Sequence, residues 1–253
     1  MRTMKKDLLD VKIFETRAEM GAVAAQEIKA AVLSMLETKE TINMIFAAAP
    51  SQNEVLASLA QDKSIPWNRV NAFHMDEYIG LSPEAPQGFG NFLKAHIFGL
   101  ADFKSVHYIN PAATDADAEC ERYTALLKEY PTDIVVMGIG ENGHIAFNDP
   151  PVADFNDPKT VKPVQLDEVC RNQQVNDKTF DTIDEVPQYA VTLTIPTMVS
   201  AKYMFCVVPT DKKAQAVYDT MNAEISEAVP ATAMRRHANA VMYTDDDSAS
   251  LLK

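Results

Sequence analysis

Several short apolar runs, each followed by a turn and a stretch of helical spacing, constrain this chain more than any other feature. Ile42 to Ala49 (INMIFAAA), Val70 to Met75 (VNAFHM), Asp133 to Met137 (DIVVM), Tyr189 to Ile195, Lys202 to Val208 and Ala240 to Thr244 all have strand length and little polar alternation. Strands of this kind are buried on both faces, which a mostly parallel sheet covered by helices on each side requires. Thr16 with Glu19 forms a capping-box pattern, and Met20, Val23, Ala24, Ile28, Ala31 and Met35 follow at helical spacing, predicting a helix to about Glu37. Ser51 with Glu54 predicts a second capped helix start, and further helices are predicted over Phe89 to Leu100, Asp115 to Glu129 and Asp211 to Met221. The expected fold class is α/β: a three-layer α/β/α arrangement on a mostly parallel sheet. With 253 residues, no linker-like stretch and no repeat, a single domain over 1–253 is expected. The polar segment Asn148 to Glu185, with Pro150, Pro151, Pro158 and Pro163, reads as a lid-like excursion, about 149–185, outside the sheet.

Charge narrows the partners. Lys+Arg 23 against Asp+Glu 36 gives a net charge of −13, which repels nucleic-acid backbones and anionic lipid. No apolar run reaches the ~20 residues of a spanning helix and no signal-peptide pattern opens the chain, so a cytoplasmic location is expected. Cys120, Cys170 and Cys206 are odd in number and widely spaced, which predicts free thiols rather than disulfides or a zinc site.

Ligands of open α/β sheets bind beyond the carboxyl ends of strands, so the residues just after each strand hold the chemistry. Only 8 glycines are present, and three of them, Gly138, Gly140 and Gly143, directly follow DIVVM and lead into His144. The spacing matches G-x-G-x-x-G, but Pro150 and Pro151 cut short the helix that a dinucleotide needs, so nicotinamide and flavin binding are set aside. A tight turn presenting backbone N–H groups and an imidazole remains. Asp76 and Glu77 follow the strand VNAFHM, where like charge and partial burial raise a carboxyl pKa toward the range of a general base. The Ala48, Ala49, Pro50, Ser51 turn opens a helix and is a candidate anion site.

Two segments, MDEYIGL (Met75 to Leu81) and GIGENGHIAFNDP (Gly138 to Pro150), resemble signatures of the glucosamine-6-phosphate deaminase/isomerase family, which is related to the 6-phosphogluconolactonases. KKA (Lys212 to Ala214) and PATAM with the nearby His237 extend the resemblance over most of the chain. It implies a modified Rossmann-like fold without a nucleotide, and isomerisation of an amino-sugar phosphate with loss of ammonia. Carried onto this sequence, Asp76 is the base moving a proton between carbons 2 and 1, and His144 assists ring opening. Asp149 stands where the deaminases carry a glutamate that partners this histidine, and Asn142 where they carry an aspartate. Lys213 matches the family's lysine at the start of a helix. The Ala47 to Gln52 turn departs from the family's glycine- and threonine-rich phosphate loop, whereas Ile145 to Asn148 is similar to the deaminase branch. Gly143, Glu77, Ala48, Ala49, Ser51, Lys162, Arg171 and Lys213 are the expected substrate contacts. No metal and no cofactor is expected, since proton abstraction beside a carbonyl or imine requires a placed carboxylate. The expected partner is a small-molecule sugar phosphate, and a homo-oligomer is left open. A 6-phosphogluconolactonase-type hydrolase using His144 to activate water, or a non-catalytic sugar-phosphate sensor, are the alternatives.

Overall fold

The computed structural model describes residues 1–166, 168–176 and 178–252. Its elements in chain order are β1 (Arg2–Lys6), β2 (Leu9–Phe14), α1 (Arg17–Leu36), β3 (Ile42–Phe46), α2 (Asn53–Gln61), β4 (Val70–His74), β5 (Asp76–Ile79), α3 (Phe89–Leu93) and β6 (Ser105–His107). There follow α4 (Ala116–Glu129), β7 (Ile134–Met137), β8 (Val161–Gln165), α5 (Glu168–Asn176), β9 (Tyr189–Leu193), α6 (Ile195–Val199), β10 (Tyr203–Val208), α7 (Ala214–Asn222) and β11 (Ala240–Asp245).

The main sheet runs β1-β2-β11-β10-β7-β3-β4-β6. Only the β1–β2 pairing is antiparallel, and every other neighbour is parallel. Its central strands are apolar on both faces because both are covered. Ile45, Val135 and Met137 pack with Tyr123 and Leu127 of α4 and Val217 of α7. Met44, Phe46, Ile134 and Val136 pack on the opposite side with Ile28 of α1, Leu56 of α2 and Leu93 of α3. The architecture is therefore the three-layer α/β/α sandwich that uninterrupted apolar strands demand.

Local chemistry starts the helices where the sequence predicted, except that 3-10 turns precede α2 and α7, which begin at Asn53 and Ala214. The Thr16 side chain accepts the Glu19 N–H at 3.2 Å, and Asp115 accepts that of Ala118 at 3.0 Å; caps of this kind contribute about 1 kcal/mol each. Ser51 does not cap. The chain passes through a 3-10 turn, Pro50–Gln52, before α2 begins, so Ser51 lies inside the turn and its hydroxyl accepts from Gln52 Nε2 instead. Glu54, the other half of the expected box, pairs with Arg17 at 2.8 Å.

One expectation needs correction. The strand at 189–195 is not part of the parallel sheet: β9 lies between β5 and β8 in a separate antiparallel sheet, β5-β9-β8. The chain leaves β4 at His74, breaks at Met75 and enters this second sheet at Asp76, with Met75 O accepting the Leu193 N–H at 2.8 Å. The polar segment after Asn148 lies outside the main sheet and carries β8 and α5, built over an apolar cluster of Tyr78, Phe147, Val164, Leu166, Cys170 and Phe180. Among the described residues no helix is long and apolar enough to cross a membrane.

Candidate active site

In the main sheet, β3 leads to β4 on one side, and the chain later returns to lay β7 and β10 on the other. The connections after β3 and β7 therefore diverge, which opens a crevice at the carboxyl ends of the strands. A cavity of about 430 Å³ lies there, within the ~300–1,000 Å³ range of small-molecule sites. Its walls come from the turns after four adjacent strands: Ala47 to Gln52 after β3, Met75 and Asp76 after β4, Gly138 to Gly140 after β7, and Pro209 to Lys213 after β10. Gln173, Gln174 and Asn176 of α5 and the following Lys178 and Thr179 also line it, so the lid-like segment contributes one wall.

Asp76 is buried at the junction of the two sheets. Burial pushes its carboxyl well above the usual range, and the neighbouring Glu77 charge pushes it the same way. Behind it, the His74 ring is locked as a neutral tautomer: Nδ1–H donates to Asp76 O at 2.9 Å, and Nε2 accepts the Ile109 N–H at 2.9 Å. Burial lowers the His74 pKa to about 4, consistent with a ring that stays uncharged. The Tyr123 hydroxyl, accepting the His74 N–H at 3.0 Å, closes the support.

Glu77 does not share the cavity with its neighbour. Alternation along β5 turns it to the other side, where it accepts N–H bonds from Tyr78 at 3.0 Å, Phe89 at 3.0 Å and Gly90 at 2.8 Å. It anchors the start of α3. Burial still raises its pKa to about 7 despite those three donors.

The glycine turn after β7 delivers the imidazole. Gly140 N–H donates to His144 O at 2.9 Å and Gly143 N–H to Gly140 O at 3.1 Å, closing a loop in which Gly143 takes φ 79°. His144 Nδ1 faces two acceptors, Asn142 Oδ1 at 2.8 Å and Asp149 Oδ1 at 3.0 Å, so Nδ1 carries the proton and Nε2 the lone pair of the neutral ring. Asn142 Nδ2 donates to the same Asp149 oxygen at 2.9 Å, completing a three-membered hydrogen-bonded ring. The shorter aspartate therefore reaches the histidine. Burial acts to raise the Asp149 pKa, but bonds from His144, Asn142 and the Cys170 thiol prevail and hold it below the ordinary value. A carboxylate behind an imidazole, with a high-pKa carboxyl across the same cavity, is equipped to move protons on and off carbon and oxygen.

The other nominated residues divide. Ala48, Ala49, Ser51 and Lys213 line the cavity, and Lys213 is buried there. Gly143, Asn142 and Asp149 stand behind His144. Lys162 and Arg171 are not brought to the cavity: Lys162 Nζ donates to Val152 O at 2.7 Å and Asp157 at 2.8 Å, and Arg171 donates to Ile183 O at 2.5 Å and Val186 O at 3.0 Å. Both brace the segment that carries them, because carbonyls and a carboxylate there take up their donors. Positive charge at the cavity comes instead from Arg17, Lys178, Lys212 and Lys213. Lys178 and Arg17 carry no signal in sequence; Lys212 and Thr210 follow β10 directly and meet the same positional rule that singled out Asp76. Thr210 has φ 79° and ψ 151°, a region that is essentially glycine's and costs a β-branched residue on the order of 1–3 kcal/mol. Among the described residues no group of three or more His, Cys, Asp or Glu is arranged to hold a metal ion.

Residues 15–243 match the family described as glucosamine-6-phosphate isomerases/6-phosphogluconolactonase. A glucosamine-6-phosphate deaminase of Bacillus cereus (strain B4264) is 34% identical over 245 residues, covering 97% of this chain and 88% of that protein. Among solved structures, a monomeric glucosamine-6-phosphate deaminase superposes with a TM-score of 0.86 at 28% identity, covering 98% of this chain and 100% of the other. The 6-phosphogluconolactonase of Trypanosoma brucei shares the fold, with a TM-score of 0.80 at 15% identity and full coverage of both chains. With the motif segments placed on one cavity and the match extending from Glu15 to Tyr243, this chain belongs to the glucosamine-6-phosphate isomerase/6-phosphogluconolactonase family.

Proposed function

We propose that this protein is an aldose–ketose isomerase that deaminates its substrate, converting glucosamine 6-phosphate and water to fructose 6-phosphate and ammonia. The observation that carries the reading is that Asp76 and His144, from the ends of different strands, line one cavity with a cationic wall. His144, oriented by Asp149 and Asn142, passes a proton from the anomeric hydroxyl to the ring oxygen and so opens the pyranose. Asp76 takes the proton from carbon 2 of the open aldehyde and returns it to carbon 1. The carbon 1 aldehyde becomes an alcohol as its oxygen takes up a proton, and the amine at carbon 2 gives up a proton to become an imine. Water adds to that imine and ammonia leaves, giving the ketose.

A raised pKa makes Asp76 a stronger base once ionised, which suits abstraction of a carbon-bound proton. Lys178, Lys212, Lys213 and Arg17 supply the positive wall for the phosphate that a −13 chain otherwise repels. The α5 segment is the lid that covers the open-chain intermediate. A phosphorylated sugar is charged and does not cross a bilayer unaided, which suits a cytoplasmic enzyme.

Coupled assays test the reading. Ammonia and fructose 6-phosphate are expected in equal amounts from glucosamine 6-phosphate. Acid release from 6-phosphogluconolactone without ammonia would assign the hydrolase branch, and thermal stabilisation by fructose 6-phosphate with neither product would assign a sensor.

A further inference from the structure

Thr210 holds a backbone conformation, φ 79° with ψ 151°, in which a Cβ collides with neighbouring backbone. A β-branched residue stays there only when its surroundings hold it. The holder is Asp245, buried at the carboxyl end of β11, whose two carboxylate oxygens each accept the Thr210 N–H at 3.1 Å. Asp245 is itself fixed: Ser248 N–H donates to Oδ1 at 2.8 Å, and the Ser248 hydroxyl accepts the Asp245 N–H at 3.2 Å and donates to Val208 O at 2.6 Å. The ends of β10 and β11 are thereby stitched together on either side of the strained residue. Thr210 O then accepts the Lys213 N–H at 3.1 Å, so the Thr210 peptide sets the direction of the 3-10 turn Asp211–Lys213 that lines the cavity.

We propose that Asp245 is a positioning residue for the sugar phosphate: it locks Thr210 in its left-handed conformation so that the turn carries Lys213 into the cavity. The inference rests on the sugar-phosphate reading above. Asp245 is not among the residues that line the cavity, so its influence passes through Thr210. A Thr210 released from the carboxylate relaxes to negative φ and swings the turn, and Lys213 with it, away from the anion.

Electrostatics and positioning predict opposite signs, which makes the test sharp. Asp245 is an anion close to a site for another anion, so removing its charge by Asp245→Asn would tighten phosphate binding if charge alone mattered. Positioning predicts that Asp245→Asn raises KM for glucosamine 6-phosphate and the calorimetric Kd for fructose 6-phosphate by about tenfold or more, with kcat changed by less than about threefold.

Glycine takes the Thr210 conformation without strain, so Asp245→Asn combined with Thr210→Gly is expected to return KM to within about threefold of the Thr210→Gly single variant. Should Asp245→Asn not fold, Ser248→Ala, which loosens the same stitch, is expected to raise KM in the same direction. An unchanged or lowered KM in Asp245→Asn overturns the inference, as does a rise that glycine at 210 fails to reverse. Absence of both turnover and fructose 6-phosphate binding in the unaltered protein would remove the sugar-phosphate reading and this inference with it. Normal parent kinetics with an unaffected Asp245→Asn overturns this inference alone.

Discussion

The His144 imidazole occupies the space that a side chain on Gly140 would need: a Cβ built there would lie 2.1 Å from Cε1, 2.3 Å from Nδ1 and 2.4 Å from Nε2. The ring is stacked on bare backbone, and the hydrogen bond from Gly140 N–H to His144 O closes the loop that holds it. Gly140→Ala therefore has to displace the ring from Asp149. Turnover is expected to fall on the order of 10²-fold or more, the lower range for losing an acid–base group, while circular dichroism stays that of the parent. Parent-like kcat in this variant would mean that the ring position is not used in the reaction.

Asp76→Asn keeps the shape of the cavity and removes the proposed base. A loss of about 10²–10⁴ in kcat is expected, with fructose 6-phosphate affinity measured by calorimetry nearly unchanged. Near-normal turnover would take proton transfer away from Asp76.

Asp149 is the anionic partner of His144, and Asn142 aligns the two. Asp149→Asn is expected to lower kcat by about 10²–10⁴, since the charge that stabilises the protonated ring is gone. Asn142→Ala leaves the carboxylate in place and is expected to cost less. The reverse order in steady-state kinetics would make the amide the more important partner.

Glu77 links stability to pH with a defined sign. Its pKa rises from 4.5 to about 7 on folding, so the folded state binds the proton more tightly than the unfolded one. Its contribution is favourable at low pH, fades as pH climbs from 4.5 through about 7, and leaves above that a penalty of roughly 3 kcal/mol relative to a neutral side chain. Denaturant unfolding at pH 5 and pH 8 is expected to show a smaller loss of stability between the two in Glu77→Gln than in the parent. The same substitution removes a negative neighbour of Asp76, so the acid limb of kcat/KM is expected to move to lower pH. It moves only in part, because burial is the larger cause of the Asp76 shift. An acid limb that stays put or moves upward would rule out that coupling.

Lys178→Gln and Lys213→Gln are each expected to raise KM for glucosamine 6-phosphate by about tenfold, as lost charge-assisted contacts to phosphate do. Lys162→Gln, whose ammonium bonds Val152 and Asp157, is expected to leave KM unchanged. A larger effect at Lys162 than at Lys178 in initial-rate measurements would reverse this assignment.

The sequence by itself determined the layers and which residues stand at their carboxyl edge. INMIF, apart from Asn43, and IVVM are apolar at inward and outward positions alike, a pattern that burial on both faces imposes, and it reads directly as central strands. Residues following such strands stand at the carboxyl edge whatever the rest of the chain does, so Asp76, His144 and the Ala48 to Ser51 turn were legible as cavity residues. The N-terminal hairpin was not, because Lys5, Asp10 and Lys12 interrupt the apolar pattern of an edge whose stability comes from pairing with β11.

Only the tertiary structure decided what each charge does. Neighbours in sequence, Asp76 and Glu77, part to opposite faces because a strand alternates. Lys162 and Arg171 are consumed by carbonyls that local sequence does not reveal, whereas Lys178 and Arg17 reach the cavity from elements far apart in the chain. The strain at Thr210 and its holder Asp245 are 35 residues apart and meet only because β10 and β11 pair in parallel. Backbone patterning is a local property and survives in the sequence; the partner of a buried polar group is set by packing, and packing is written nowhere but in three dimensions.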